Sequence, residues 1–166
     1  LNVKHDSSSV TNQFRIAYFE MDSLENNFNL VKDVKTEIAA KEAEYSSSLN
    51  QLDNVYRNKF RELDEKSKTM TPDQIAEAQN TLQTLAEQLK LQKQDLDQKY
   101  QDFIMRKNLD VKKKIEDYLK IYNTTHNYSY IISYEQGLFY YKDTAYNITN
   151  DLISGLNQHY KQVKKP

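Results

Sequence analysis

The residues of this chain whose types could do chemistry are three histidines, a close pair of aspartates and a run of lysines. His5, His126 and His159 are the imidazoles available for proton transfer or metal binding. They are isolated and lack metal-ligand spacing, so each reads as a surface or loop histidine. Asp95 and Asp97 head a larger set of carboxylate pairs, which read as solvated-face residues. The run Lys112-Lys113-Lys114 also reads as a solvated face, with partner binding as the sharper alternative. Only two glycines occur in the chain, which leaves no room for a glycine-rich phosphate loop. Cysteine is absent, so neither a disulfide frame nor a cysteine-based metal site can form. Asn123-Thr124-Thr125, Asn127-Tyr128-Ser129 and Asn147-Ile148-Thr149 match the short glycosylation sequon, a weak signal in an Asn-rich chain. No catalytic, cofactor-binding or metal residue is expected, and the chain reads as a non-enzyme.

Composition narrows the class. Of the 166 residues, 38% are hydrophobic and 28% charged, with a mean hydropathy of −0.89. That is too polar for one large compact core. Yet Leu, Ile, Tyr and Phe recur too regularly for a disordered chain. A net charge of −1 argues against nucleic acid as a partner, because phosphate neutralisation needs a basic excess. No apolar run approaches the ~18 residues of a membrane span. Leu1 stands where a methionine would start a chain, so an N-terminus cut from a longer precursor is expected, either soluble or lipid-anchored. Residues 1–13, with Ser7-Ser8-Ser9, read as a flexible lead-in.

The elements that must position any surface are mostly helical. From Leu24 to Tyr122 there is no glycine and one proline, Pro72. This stretch reads as two long helices of about 45 to 50 residues, roughly 70 Å each. Their junction is Lys68-Thr69-Met70-Thr71-Pro72-Asp73, where Thr71 suits an N-cap and Pro72 the first helical position. Heptads run along both arms. Ile75, Leu82, Leu89, Leu96 and Phe103 form one ladder; Ala78 and Leu85 fill the alternate seam, which Gln92 and Lys99 interrupt nearer the middle. Past Phe103 the stripe shifts to Ile104, Val111, Ile115, Tyr118 and Tyr122, as at a stutter. On the first arm Ile38, Tyr45 and Leu52 make one ladder and Leu49, Tyr56 and Leu63 the other. Facing stripes of this kind predict an antiparallel helical hairpin with a thin seam over residues 25–122 and a tip near 67–72.

Both ends of the chain differ from the arms. Phe14 to Glu20 is apolar and aromatic and predicts a strand. Asn123 to Asn127 signals a loop. Tyr128 to Tyr134 and Leu138 to Tyr141 predict two further strands, joined by a hairpin turn at Glu135-Gln136-Gly137. Ile148, Leu152, Ile153, Leu156 and Val163 stand at helical spacing, with Asn147 as the expected N-cap. Residues 14–24 and 123–166 thus make a small α+β body. Three short strands and one helix hardly bury enough surface to stand alone, and their edges would be exposed and aromatic. Association of several copies through this body solves both problems. Ile16, Tyr18, Ile132, Tyr134, Phe139, Ile148 and Leu152 are the residues expected at or near the contacts.

The stretch Arg15-Ile16-Ala17-Tyr18-Phe19-Glu20-Met21-Asp22-Ser23-Leu24 resembles the opening strand and turn of the Skp/OmpH family of periplasmic chaperones. The end, Tyr130-Ile131-Ile132 to Leu138-Phe139-Tyr140-Tyr141 and then Asn147-Ile148-Thr149-Asn150-Asp151-Leu152-Ile153, is similar to the closing hairpin and helix start of that family. The resemblance implies a mainly α fold, with a helical-hairpin arm on a small β-rich association body. It implies a trimer shaped like a jellyfish, whose arms enclose unfolded outer-membrane proteins without ATP in the periplasm, touching membranes only through clients or a lipid anchor. Glu20 and Asn147 stand where the family usually has aspartate, and this chain is near neutral where well-known members are basic. The alternative reading is a structural coiled-coil adaptor of the cell envelope.

Overall fold

The computed structural model describes residues 14–163. The lead-in of residues 1–13, including His5, lies outside the described residues. In chain order the elements are β1 (Ile16–Glu20), α1 (Met21–Asn27), α2 (Asn29–Ser67), α3 (Pro72–His126), β2 (Tyr130–Tyr134), a 3-10 turn (Thr144–Tyr146) and α4 (Thr149–Val163). The chain divides into two compact units. Asp33–Val111 is one, an arm unit of α2 and α3; residues 14–32 with 112–163 make up the other.

In the arm unit α2 and α3 run antiparallel on either side of the turn at residues 68–71. Thr71 closes the start of α3 with a capping box: its hydroxyl accepts from the Gln74 N–H at 3.4 Å, and its own N–H donates to Gln74 Oε1 at 2.9 Å. Opposed residues follow the expected ladders. Leu49, Leu52 and Tyr56 line one shallow groove with Ala86 and Leu89, and Leu63 lines another with Ala78. These seam residues are only half-buried, and among the described residues of the unit Val34 alone is buried. Ile75, expected in the seam, is 38% exposed; it sits at the first turn of α3, where α2 has already ended.

The small unit holds the core. Ala17, Tyr18 and Phe19 of β1, Leu24 of α1, Phe28, Leu30, Val31, Ile115 of α3 and Ile148, Leu152 and Leu156 of α4 are buried together. The sheet differs from expectation. It has two strands, and they are parallel, with Ile16 opposite Tyr130 and Glu20 opposite Tyr134. Leu138 to Tyr141 does not return as a third strand. Gly137 takes φ +93°, Leu138 N–H bonds back to the Glu135 carbonyl at 3.4 Å, and only an isolated bridge joins Gln136 to Phe139. The segment instead leads Lys142 back across the sheet to Glu20.

Helix limits also shift for local reasons. α3 continues through the expected loop to His126. Thr124 and Thr125 hydroxyls bond back to the carbonyls of Ile121 and Tyr122, which leaves the helical ladder intact. It ends at Asn127, which adopts φ +54°, while Asn123 clasps both backbone groups of Tyr128. The helix expected from residue 25 is broken at Phe28, whose extended backbone separates α1 from α2. Asn157 of α4 spans this break, accepting from Asn29 N–H at 2.8 Å and donating to the Asn27 carbonyl at 3.0 Å. Asn147, the expected cap, stands one position before the observed cap residue, Ile148. The Asn147 side chain accepts from both the N–H and the hydroxyl of Thr149, while the Ile148 carbonyl takes the first helical bond.

Candidate association surface and arm seam

Two strands of five residues leave the small unit with an uneven sheet. β1 is covered on both sides. One side pairs with β2; on the other the Tyr18 carbonyl accepts from Ile148 N–H at 2.9 Å, and Glu20 N–H donates to Thr149 Oγ1. β2 has no strand on its far side among the described residues.

Over one face of this sheet lies an open groove of about 530 Å³. Ile16, Tyr18, Ile132, Tyr134 and Phe139, all expected at the contacts, line it together. Ile16 and Phe139 are exposed and Ile132 and Tyr134 half-buried. The other two expected residues, Ile148 and Leu152, are not in the groove; they are 5% and 0% exposed inside the chain's own core. Around the groove the surface is rich in rings: Phe14, Tyr130, Tyr140, Tyr141 and Tyr146 are all exposed, Tyr140 fully. Tyr18 Oη, at the groove, is buried without a hydrogen-bond partner among the described residues, and so is Ser133 Oγ on the opposite face of β2.

Of the two cations that line the groove, Arg15 and Lys142, the second carries an ion pair that sequence reasoning missed. Lys142 Nζ lies 2.5 Å from Glu20 Oε1 and 3.8 Å from the centre of the Tyr134 ring. Hydrogen bonding to Lys142 and then its charge hold the Glu20 carboxyl below the usual range, and the Glu20 bond raises Lys142. Nothing in the local sequence distinguishes Lys142 from the other lysines; the turn that replaces the third strand is what delivers it.

His126 and His159 are accounted for by packing. His126 stacks on Tyr122 at 4.0 Å and faces Tyr128 at 5.9 Å, and Arg15 sits 4.8 Å above the Tyr128 ring while donating to the His126 carbonyl. His159 tilts against Tyr118. No group of acidic or imidazole side chains fit to hold a metal occurs among the described residues. The sequon asparagines Asn123 and Asn147 are both engaged in the helix-end bonds above. In the lysine run, Lys112 pairs with Glu116 on its own helix at 3.8 Å.

In the arm, Asp97 departs from the solvated-face expectation. It accepts from Tyr45 Oη at 2.5 Å across the seam and from Lys93 Nζ at 2.8 Å along α3. Tyr45 stacks on Tyr100 at 4.8 Å and 11°. Asp95, by contrast, pairs only with Lys99 of its own helix, at 2.7 Å. Nearer the base, Lys107 pairs with Glu37 across the seam.

Comparison with known proteins gives two findings. A family model described as outer membrane protein (OmpH-like) matches residues 15–156. The fold also matches the crystal structure of a protein from Caulobacter crescentus CB15 described as a proposed OmpH-like outer membrane chaperone. The TM-score is 0.75 at 14% identity, covering 96% of this chain and 90% of that one. No curated protein matches the sequence.

Proposed function

The chain belongs to the OmpH-like outer membrane protein family, and on that premise we propose that it is a periplasmic chaperone, an ATP-independent holdase for unfolded outer-membrane proteins that works as a homotrimer. The observation that carries this reading is the extent of the family match, from the start of β1 into α4, so that it takes in both the sheet and the whole helical hairpin.

Trimer formation is assigned to the small unit. The open edge of β2, the apolar groove over one face of the sheet and the unpartnered Tyr18 oxygen favour association there. An uncovered sheet edge is normally paired or blocked, and a buried hydroxyl without a partner costs about 1–3 kcal/mol. Ile16, Tyr18, Ile132, Tyr134 and Phe139 are the contact residues in this reading.

Client holding is assigned to the arms. Their seam is half-buried and their surface carries scattered apolar groups such as Leu91, Met105 and Leu109 among polar ones. Many weak contacts confined in one cavity hold a chain by avidity and release it when membrane folding is more favourable. With a net charge of −1, holding should weaken little as salt rises.

The test is light scattering on an unfolded β-barrel protein diluted with a stoichiometric amount of this chain and no nucleotide. Suppressed aggregation with a trimer mass is the expected result. A monomer mass at micromolar concentration, or unchanged aggregation, would defeat the holdase reading in favour of an adaptor.

A further inference from the structure

The arm unit has few polar ties between its two helices, and their placement is uneven. Tyr45 to Asp97 is one and Glu37 to Lys107 another, and both lie in the half of the unit away from the turn. Between Tyr45 and the turn at residues 68–71, every hydrogen bond and ion pair among the described side chains stays within its own helix. Asp53 with Arg57, Lys59 and Lys66 with Glu62, and Lys93 with Asp97 are of this kind. What joins the helices there is the seam of Leu49, Leu52, Tyr56 and Leu63 against Ala78, Leu82, Leu85 and Leu89, all half-buried.

We propose that the Tyr45–Asp97 pair, clamped by the Tyr45–Tyr100 stack, is the latch that sets how far the hairpin opens. Outward of it the helices splay apart; inward of it they stay closed. The physical reason is a difference in directionality. A leucine seam is non-directional and tolerates sliding and splaying at small cost per side chain. A phenol donating to a carboxylate is a charge-assisted bond with a narrow range of distance and angle. Stacking on Tyr100 fixes the ring that carries the hydroxyl, whereas the Lys93 bond to the same carboxylate stays within α3 and ties nothing across the seam. The tie therefore breaks in one step, whereas the seam beyond it loosens gradually. Opening up to the latch uncovers leucines that the closed hairpin half-covers and leaves the base of the unit unchanged.

The inference concerns the free chain and does not depend on client binding. Amide hydrogen exchange on the whole protein reads it directly, as protection relative to the unfolded rate at each residue. In the wild-type chain, protection should step down between residues 38–45 and 49–63 on α2, and at the matching place on α3. Tyr45→Phe keeps the ring stack and removes the hydroxyl. It should move the step inward toward Glu37 and Lys107, with protection of residues 38–45 and 97–103 falling about fivefold, the scale of one hydrogen bond. Lys93→Ala removes only the bond along α3 and should leave the step in place. Protection that declines smoothly from base to turn in the wild-type chain overturns the latch. So does a Tyr45→Phe chain with its step unmoved, or a Lys93→Ala chain that shifts it as far as Tyr45→Phe does. Retained helical circular dichroism in both variants separates these outcomes from unfolding.

Discussion

The small unit and the arm unit are stabilised by different means. In the small unit Leu24, Phe28, Leu152 and Leu156 are at or below 2% exposure, and asparagine side chains hold α4 at its start and at its middle. In the arm unit nearly every apolar side chain is half in water, and only Val34 is buried. The first region resembles an ordinary protein interior and should respond sharply to any change of volume. The second spreads its stability over many weak contacts and should yield locally. A binding surface that must fit varied partners is better built on the second kind of region, and an assembly contact on the first.

Four measurements would break or sharpen this contrast. The largest effect is expected from Ile132→Asp, which places a charge in the groove over the sheet face that adjoins the open edge of β2. If that edge is the assembly contact, the variant should run as a monomer in light scattering and lose aggregation suppression altogether. Next is a matched pair of truncations. Leu152→Ala, at a fully covered site, should cost about 2–5 kcal/mol in denaturant unfolding. Leu85→Ala, in the seam, should cost less than about 1 kcal/mol, because much of its surface is already hydrated. Equal costs would erase the distinction between the units.

A third measurement concerns Gly155. A Cβ built there lies 1.8 Å from the Tyr118 hydroxyl, so a side chain at this position of α4 requires the Tyr118 ring of α3 to shift. Gly155→Ala should destabilise by about 1–3 kcal/mol despite its better helix propensity, as overpacking does. A second substitution, Tyr118→Ala, should relieve that strain; a chain stabilised by Gly155→Ala alone would show that Tyr118 moves away freely.

The smallest effect is a pH dependence in the arm. Hydrogen bonds from Lys93 and then Tyr45 hold the Asp97 carboxyl below its usual range, and the bond to Asp97 holds the Tyr45 phenol above its own. A depressed carboxylate contributes fully above its unfolded pKa of about 4 and is lost as pH falls through the folded value. A raised phenol contributes fully below about 10 and is lost as pH rises through its folded value. Protection of residues 38–45 should be level between these limits and drop at both ends. Asp97→Asn should lack the acid-side drop, which distinguishes this pair from Glu62 and Asp117, whose carboxyls are lowered by lysine hydrogen bonds.

The parts of the fold that repeat were legible in the sequence. The hairpin, its turn and most of its seam follow from heptads, a missing glycine and a Thr-Pro start, all of them local signals. The misplaced parts depend on partners far along the chain. The break at Phe28 needs Asn157, and the third strand fails to form where Lys142 is drawn to Glu20. No spacing rule announces such pairs. Of the candidate surface, apolar and aromatic type identified five groove residues, whereas Ile148 and Leu152 were apolar for the sake of the core. Asp97 looked like any exposed carboxylate because its partner, Tyr45, lies across the seam on α2.

The parallel pairing of β1 with β2 has a consequence in time. Arg15 and Ser129, which begin that pairing, are 114 residues apart. A strand emerging first from synthesis or secretion therefore has nothing to pair with until almost the whole chain has followed. Closing so long a loop is slow in a flexible chain. Helices form locally and much faster. Once α2 and α3 have folded back on one another, the effective distance between the strands collapses to that between two neighbouring helix ends. The arm is thus expected to fold before the sheet, and a lengthened or broken tip at residues 68–71 should delay the appearance of the small unit more than it lowers its final stability.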